Sequence, residues 1–400
     1  MATLRLAVNN RWQATAGLLM APAKTARVVG PALSASGACS QSRSLHQQAD
    51  QTAFHQASSS PRAPMPGRRT KALNQRTAGM RALPTQTAQT GMQRRAQYST
   101  ASTPAPEPTV HSAFETATGT WQYVVADPST MDAVIIDPVL DFDPATQVIT
   151  TKTADSLLAM VKEKGYRIVR LLETHAHADH LSSSHYLQKH LAQQQGYRPP
   201  VCIGKRIPQV QTLFGKRYGI AAKEYDGIFD KFFEDDEEFD IGNLKAKAIH
   251  LPGHTPDHLG YKIGDNVFCG DSVFHADIGT ARCDFPGGSV NDLWNSSRKL
   301  FALPDNVKIW TGHDYPPAGR TEPVPYMTVK DHKAQNKHLK DGISEAEFVA
   351  LRKERDAILG EPRLLHQSLQ VNIRAGNLPE PTSFGQRLLH LPLKLKGLEW

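Results

Sequence analysis

Acidic side chains are nearly missing from the first 106 residues of this 400-residue chain. That stretch holds thirteen Lys and Arg against one acid, Asp50, a net charge of +12. The remainder holds 33 basic and 38 acidic residues, a net charge of −5, so the overall +7 belongs to the N-terminal stretch alone. With no basic, aromatic-interleaved patch in the remainder, the composition argues against nucleic-acid processing. Cysteine is equally scarce: Cys39, Cys202, Cys269 and Cys283 show no C-x-x-C spacing, so no disulfide framework is expected. Cys202, Cys269 and Cys283 read as buried structural thiols; Cys283, beside Arg282, is the one with some claim to reactivity. No apolar run approaches the roughly 20 residues that span a bilayer, and no internal repeat is evident.

The acid-poor stretch is instead rich in Ala, Ser, Thr, Gln and Arg. That is the composition of a mitochondrial transit peptide, with Met1 to about Met20 able to form a basic amphipathic helix. Arg94-Arg95 and the following Ala-Gln-Tyr-Ser-Thr-Ala resemble a matrix-peptidase cleavage region, placing a mature start near Tyr98 or Ser99. The expected location is the mitochondrial matrix; a cytosolic protein with a disordered basic tail is the alternative. The expected organisation is a transit peptide and linker over 1–106, a catalytic domain over 107–340, and a C-terminal helix and tail over 341–400 packing on it. A homodimer is compatible with the sequence.

One stretch is unusually dense in ligand-type side chains: Glu173-Thr-His-Ala-His-Ala-Asp-His-Leu181 places His175, His177, Asp179 and His180 within six residues. The run Arg167–Leu172 before it reads as a buried strand, and Leu181 to about Gln195 after it as a helix. Three imidazoles and a carboxylate crowded on such a turn suit zinc or iron, because neutral imidazole and carboxylate are good ligands for both. The plainer alternative is a solvated polar turn.

Periodicity organises the rest. Strands are expected at Thr120–Val125, Ala133–Ile136, Val201–Ile203, Leu244–His250 and Lys308–Thr311, with a hairpin of Leu259–Ile263 and Asn266–Cys269 turned at Gly264-Asp265. Helices are expected at Ala154–Lys164, ending at Gly165, at Pro208–Tyr218, at Val290–Leu303 and at Ser344–Leu359, the last with a capping box of Ser344 and Glu347. Asp226–Asp240 reads as a loop whose phenylalanines cover the core, and Ser368–Gly376 as a C-terminal strand. Hairpins interrupted by helices suggest an α/β protein, an αββα sandwich of two mixed sheets covered by helices.

Three further candidates each follow an expected strand: His254 in Leu251-Pro-Gly-His-Thr-Pro256, Asp271 in Phe268-Cys-Gly-Asp-Ser272, and His313 in Thr311-Gly-His-Asp-Tyr315. Singly each is weak. Together with the dense motif they offer seven ligands on four strand ends.

This set resembles the metallo-β-lactamase superfamily over about residues 110–320. Full occupancy in that superfamily implies one metal on His175, His177, His254 and Asp271, and a second on Asp179, His180, Asp271 and His313. Two-zinc hydrolases of this kind, such as the glyoxalase II thioesterases, activate a bridging hydroxide. A closer resemblance is to the persulfide dioxygenases, through Ile136-Asp-Pro138, the Glu173–His180 motif, Pro252-Gly-His-Thr-Pro256, Gly270-Asp271, Gly279-Thr-Ala-Arg-Cys-Asp-Phe285 and His313-Asp-Tyr315. It implies a single Fe(II) on His175, His254 and Asp271, with His177, Asp179, His180 and His313 behind them to orient ligands or move protons. It also implies glutathione persulfide and O2 as reactants, giving sulfite and glutathione, with Arg282 and Tyr315 holding glutathione. Arg282 suits a carboxylate through its planar fork. The Asp226–Asp240 insert and the tail look like a longer bacterial and fungal branch called β-lactamase hydrolase-like. Asn372 and Arg374 lie in that tail, within conceivable reach of the pocket.

Overall fold

A computed structural model describes residues 107–397; the expected presequence, its cleavage region and Cys39 lie outside the described residues. The chain opens with β1 (Thr109–Glu115), β2 (Thr120–Ala126) and β3 (Asp132–Ile136), an antiparallel run, then β4 (Val139–Asp143) and β5 (Val148–Thr150). Helix α1 (Lys152–Lys164) leads into β6 (Arg167–Leu172). After β7 (Leu181–Ser182), α2 (Ser184–Gln195) leads into β8 (Val201–Gly204), and α3 (Ile207–Tyr218) into β9 (Lys231–Phe233). The second half begins with β10 (Glu238–Ile241), β11 (Leu244–His250), β12 (Leu259–Ile263) and β13 (Asn266–Phe268). It continues through α4 (Val290–Phe301), β14 (Lys308–Trp310) and β15 (Tyr326–Thr328), and closes with α5 (Val329–Gln335), α6 (Glu345–Ala357) and α7 (Leu365–Asn372).

Two six-stranded sheets result, in the orders β1-β2-β3-β6-β8-β9 and β10-β11-β12-β13-β14-β15, and β4 joins β5 and β7 in a small third sheet. The side-chain period of two decides how the large sheets stack. In β2, Trp121, Tyr123 and Val125 point into a core shared with Phe239, Tyr261, Phe268 and Trp310 of the other sheet. The alternate residues Val124 and Ala126 point the other way, against Leu157 of α1, Leu187 of α2 and Phe214 of α3. The second sheet repeats the arrangement: Ile249, Val267 and Ile309 turn outward onto Leu293 of α4, Val329 of α5 and Phe348 of α6. Strands buried on both faces need helices on both outer sides, and the product is the expected αββα sandwich. Cutting a ring such as Phe268 to Ala would cost about 3–5 kcal/mol in transfer and cavity terms.

The hairpin β12–β13, the α1 stripe Leu157, Leu158 and Val161 with Gly165 in the left-handed region (φ 71°), and the Ser344–Glu347 capping box all form as their residues predict. Three expectations need correction. Asp226–Asp240 is not a loop: β9 adds an edge strand to one sheet and β10 begins the other, so the insert extends both edges. Ser368–Gly376 is no strand. Leu365, Leu369 and Ile373 recur every four residues and pack on the α3 side of the core, the stripe of helix α7. Helix α2 starts at Ser184, because Leu181–Ser182 pairs with Val139–Leu140 first. Cys202, Cys269 and Cys283 are buried and free. Burial pushes the Cys283 thiol up, away from thiolate reactivity.

Candidate metal centre

The dense motif leaves the end of β6 and enters a loop tied down by neighbouring side chains. The Thr174 amide and hydroxyl donate to the Asp137 carboxylate at 2.7 and 2.8 Å. The Ala176 amide donates to Asp257 Oδ2 at 2.9 Å, and the hydroxyls of Ser182 and Ser184 both donate to Glu173 Oε1. From α7, the Asn372 amide nitrogen donates to the carbonyls of His177 and His180, each at 2.8 Å, while its oxygen accepts from the Ser182 amide at 2.8 Å. A segment of five histidine and acid side chains (Glu173, His175, His177, Asp179, His180) thus keeps one backbone path.

These ties also select tautomers. The Thr174 hydroxyl gives its proton to Asp137, so at 3.0 Å it accepts from His175 Nδ1–H. His254 Nδ1 lies 2.7 Å from the Arg282 carbonyl, which can only accept, so it too carries the proton. In each neutral ring the Nε2 lone pair is then free. Burial holds His175 well below its ordinary pKa, in the neutral form that ligates. Asp271 completes the set; its backbone amide donates to His258 Nε2 at 2.9 Å. One ligand atom each from His175, His254 and Asp271 lie within 4.8 Å of one another, and His254 Nε2 is 3.6 Å from Asp271 Oδ2.

Two glycines make the convergence fit. Gly253 (φ 140°) sits so close to the first turn of α4 that a Cβ would overlap the Leu293 backbone. At Gly312 a Cβ would strike the Asp271 carboxylate.

The residues fit a metal on their own terms. His175 Nε2, His180 Nε2 and Asp271 Oδ1 are buried with no hydrogen-bond partner among the described residues. Orphaned polar atoms of that kind are costly unless a cation answers them. The remaining candidates sit alongside. His177 Nε2 faces Asp137 Oδ1 at 3.1 Å and Glu173 Oε2 at 3.5 Å. Burial and the neighbouring His177 lower His180 to about 3. His313 Nε2 lies 2.9 Å from Asp179 Oδ2 and 3.5 Å from Asp271 Oδ2, while Nδ1 faces the Gly119 carbonyl at 3.2 Å.

A model of the metallo-beta-lactamase superfamily matches residues 116–313, which include every candidate ligand from His175 to His313. Glyoxylase B2 of Dictyostelium discoideum is 43% identical over 285 residues, 70% of this chain and 94% of that protein. The beta-lactamase hydrolase-like protein of Xylella fastidiosa is 42% identical over 295 residues, 73% of this chain and 67% of that protein. This chain belongs to the metallo-beta-lactamase superfamily. Within the superfamily it is also similar to the human mitochondrial persulfide dioxygenase ETHE1, 27% identical over 266 residues, 66% of this chain and 87% of that protein. The crystal structure of ETHE1 from Myxococcus xanthus aligns with a TM-score of 0.53 and 26% identity, covering 67% of this chain and 100% of that one.

As a superfamily member the chain places its pocket over the strand ends. A cavity of about 580 Å³ opens there, floored by Asp179, His254 and Asp271 and walled by Phe274, Ile278 and Tyr315. Tyr315 stacks on His313 (ring centroids 5.7 Å apart, planes 8° apart) and is half exposed. Arg282 lines the cavity, but its guanidinium is already held in a two-point pair by Asp284 at 2.5 Å. The Arg-x-Asp spacing was visible in the sequence and signals that pairing. Arg374 does not reach the cavity; it pairs with Glu224 at 2.7 Å. The sequence gives no sign that Lys337, Arg352, Arg355 and Arg363 also line the wall, because three separate C-terminal segments carry them.

Proposed function

We propose that this chain is a mononuclear Fe(II) persulfide dioxygenase that oxidises glutathione persulfide with O2 and water to sulfite and glutathione. The observation that carries the reading is the two-histidine, one-carboxylate cluster of His175, His254 and Asp271. His175 and His254 present Nε2 lone pairs toward the Asp271 carboxylate, whose Oδ2 lies 3.6 Å from His254 Nε2, the ligand type of non-haem iron oxygenases with open positions. Fe(II) bound there would supply the oxygen activation and the affinity for the persulfide sulfur.

The protein's own share is orientation and charge. The Arg282 carbonyl and the Thr174 hydroxyl aim the two imidazoles, and the His258 ring fixes the Asp271 backbone through its amide. Phe274 and Ile278 exclude water from the cavity wall. Tyr315 offers a directional hydroxyl to the carrier thiol. His313, in contact with Asp179 and near Asp271, is placed to hold or hand over a proton beside the reacting sulfur. The acid-poor N-terminal composition supports the matrix of mitochondria as the place of action.

One observation favours a second reading, a dinuclear zinc hydrolase of glutathione thioesters: His177, Asp179 and His180 form another ligand group within 4.8 Å, next to the first. The experiment that separates the two is metal analysis of the full chain purified without oxygen, paired with an oxygen electrode and glutathione persulfide. About one iron per chain with persulfide-dependent oxygen uptake is expected. About two zincs with thioester cleavage and no uptake would overturn the proposal.

A further inference from the structure

The far wall of the cavity carries charge that the metal chemistry does not use. Five cations line it: Arg282, Lys337, Arg352, Arg355 and Arg363. Two are already neutralised. Arg282 is held by Asp284, and buried Arg352 by Asp356 at 2.7 Å with its other nitrogen on the Thr280 and Ala281 carbonyls. For Lys337, Arg355 and Arg363 no carboxylate lies within ion-pair distance among the described residues; Arg363 makes only one long bond, 3.4 Å, to the Ala117 carbonyl. All three side chains are exposed to the cavity mouth rather than packed away.

They also come from three different places. Lys337 follows α5, Arg355 lies in the last turn of α6, and Arg363 stands just before α7. A cation in a last helical turn is explained by the helix dipole, which accounts for Arg355 alone. It does not account for three unpaired cations converging from separate segments. The like charges are close enough to matter: after burial, Arg355 is the next cause lowering the Lys337 pKa. The Asp277 carboxylate of the same wall acts on Lys337 in the opposite sense, but it is itself held by Arg320 at 2.8 Å. Three cations with no ion-pair partner of their own among the described residues leave a site for an external anion.

We propose that Lys337, Arg355 and Arg363 form a carboxylate-binding rim that selects a thiol carrier bearing a free carboxylate remote from its sulfur. Arg282, occupied by Asp284, does not serve that carboxylate. The proposal rests on the reading of the cavity as a glutathione-type thiol site, and it names where that carrier's charged end lies. The sulfur end faces Asp179, His254 and Asp271 on the floor; the carboxylate end faces the α6 side. The same rim would serve a persulfide or a thioester of the same carrier.

The test is a binding measurement that needs no turnover. S-methylglutathione and its glycyl ethyl ester, which lacks one carboxylate, are titrated calorimetrically into the full chain loaded with metal. The wild type should bind the acid about tenfold more tightly than the ester, the sum expected of a few partly exposed ion pairs, and the difference should shrink as salt is raised. Lys337→Ala with Arg355→Ala should remove the discrimination. Lys337→Arg with Arg355→Lys should restore most of it, and Arg282→Ala should leave it in place. Equal binding of acid and ester by the wild type, full discrimination in the double alanine variant, or loss of discrimination only in Arg282→Ala would each overturn the rim. Absence of persulfide-dependent oxygen uptake alongside retained acid–ester discrimination would sink the dioxygenase reading and leave the rim standing.

Discussion

His313 Nε2 faces Asp179 Oδ2 across 2.9 Å. His313 Nδ1 lies 3.2 Å from the Gly119 carbonyl and 3.3 Å from the Thr120 hydroxyl; with the Nδ1 proton on the carbonyl, a neutral ring turns a lone pair toward a carboxylate. Two acceptors at that distance need a cation between them. Either His313 takes a second proton or a metal ion sits there. Burial works against the proton, but the Asp179 and Asp271 carboxylates outweigh it and raise His313 to about 9. In the mononuclear reading the proton is the answer. His313→Ala should then leave iron content near one per chain while kcat/KM falls roughly a hundredfold, the usual scale for a lost proton-handling group. Elemental analysis decides: loss of one of two metal equivalents in that variant would favour the dinuclear hydrolase.

Asn372 is the second point at which the site depends on a distant residue. It satisfies two carbonyls and one amide of the motif loop, all buried. Asn372→Ala strands those groups, at about 1–3 kcal/mol for a buried polar group left unpaired. The denaturation midpoint should fall with the slope unchanged. Metal affinity should fall about 10–100-fold, as when outer groups around a metal are removed. Asn372→Asp should be worse than Ala, since a carboxylate cannot donate to the His177 and His180 carbonyls and faces them with charge. A wild-type midpoint and wild-type metal affinity in Asn372→Ala would show the brace to be dispensable.

The uneven legibility of the site has a physical cause. His175, His254, Asp271 and His313 were readable because each sits on a short turn directly after a strand whose alternation announces it, as Leu244–His250 does before His254. Local chemistry of that kind survives in the sequence. The brace Asn372 stands 192 residues from the His180 carbonyl it holds, and the cations Lys337 and Arg363 meet only after α5, α6 and α7 have packed. Nothing within a local window marks such residues. The edge strands β9 and β10 escaped for another reason: at three and four residues they are too short for a period to emerge. Arg282 is the converse case. Its fork suits a carboxylate, and it has one, but that carboxylate is Asp284, two residues on.

Gly253 tests whether the turn bearing His254 is as tight as its geometry. Its φ of 140° is strained for any L side chain, and a Cβ would overlap the backbone of Leu293 in α4. Gly253→Ala should cost roughly 2–4 kcal/mol, in the range where backbone strain and overpacking add. It should also lower metal retention, since His254 is the next residue. Gly165→Ala is the comparison. That glycine also has positive φ, 71°, but nothing lies within 4 Å of the added carbon, so only strain of about 1 kcal/mol is expected. Equal midpoints for the two variants would mean that α4 moves aside freely and that the close approach is not a constraint.

Asp127 offers a pH test far from the metal ligands. It sits in the β2–β3 turn and accepts from the Ser129 amide (2.8 Å), the Ser129 and Thr130 hydroxyls (2.7 and 2.8 Å) and the Asn243 amide (2.6 Å). The last contact ties the β2–β3 turn to the β10–β11 turn of the other sheet. Burial pushes this carboxyl up, but the hydrogen bonds, that from Asn243 foremost, win and hold it at about 2. The unfolded carboxyl titrates near 3.9 (roughly the free value). A folded pKa below the unfolded one means stability that is fully present above about pH 4 and lost as the pH falls toward 2. Asp127→Asn keeps the shape and cannot titrate. Its denaturation midpoint, followed from pH 5 to pH 2, should start below that of the wild type, and the gap should close as the pH drops. The acid sensitivity of the histidine ligands is common to both proteins and cancels in the difference. Parallel midpoints across the whole range would mean that Asp127 is not held in its charged form by these four donors, and that the two turns are joined by packing alone.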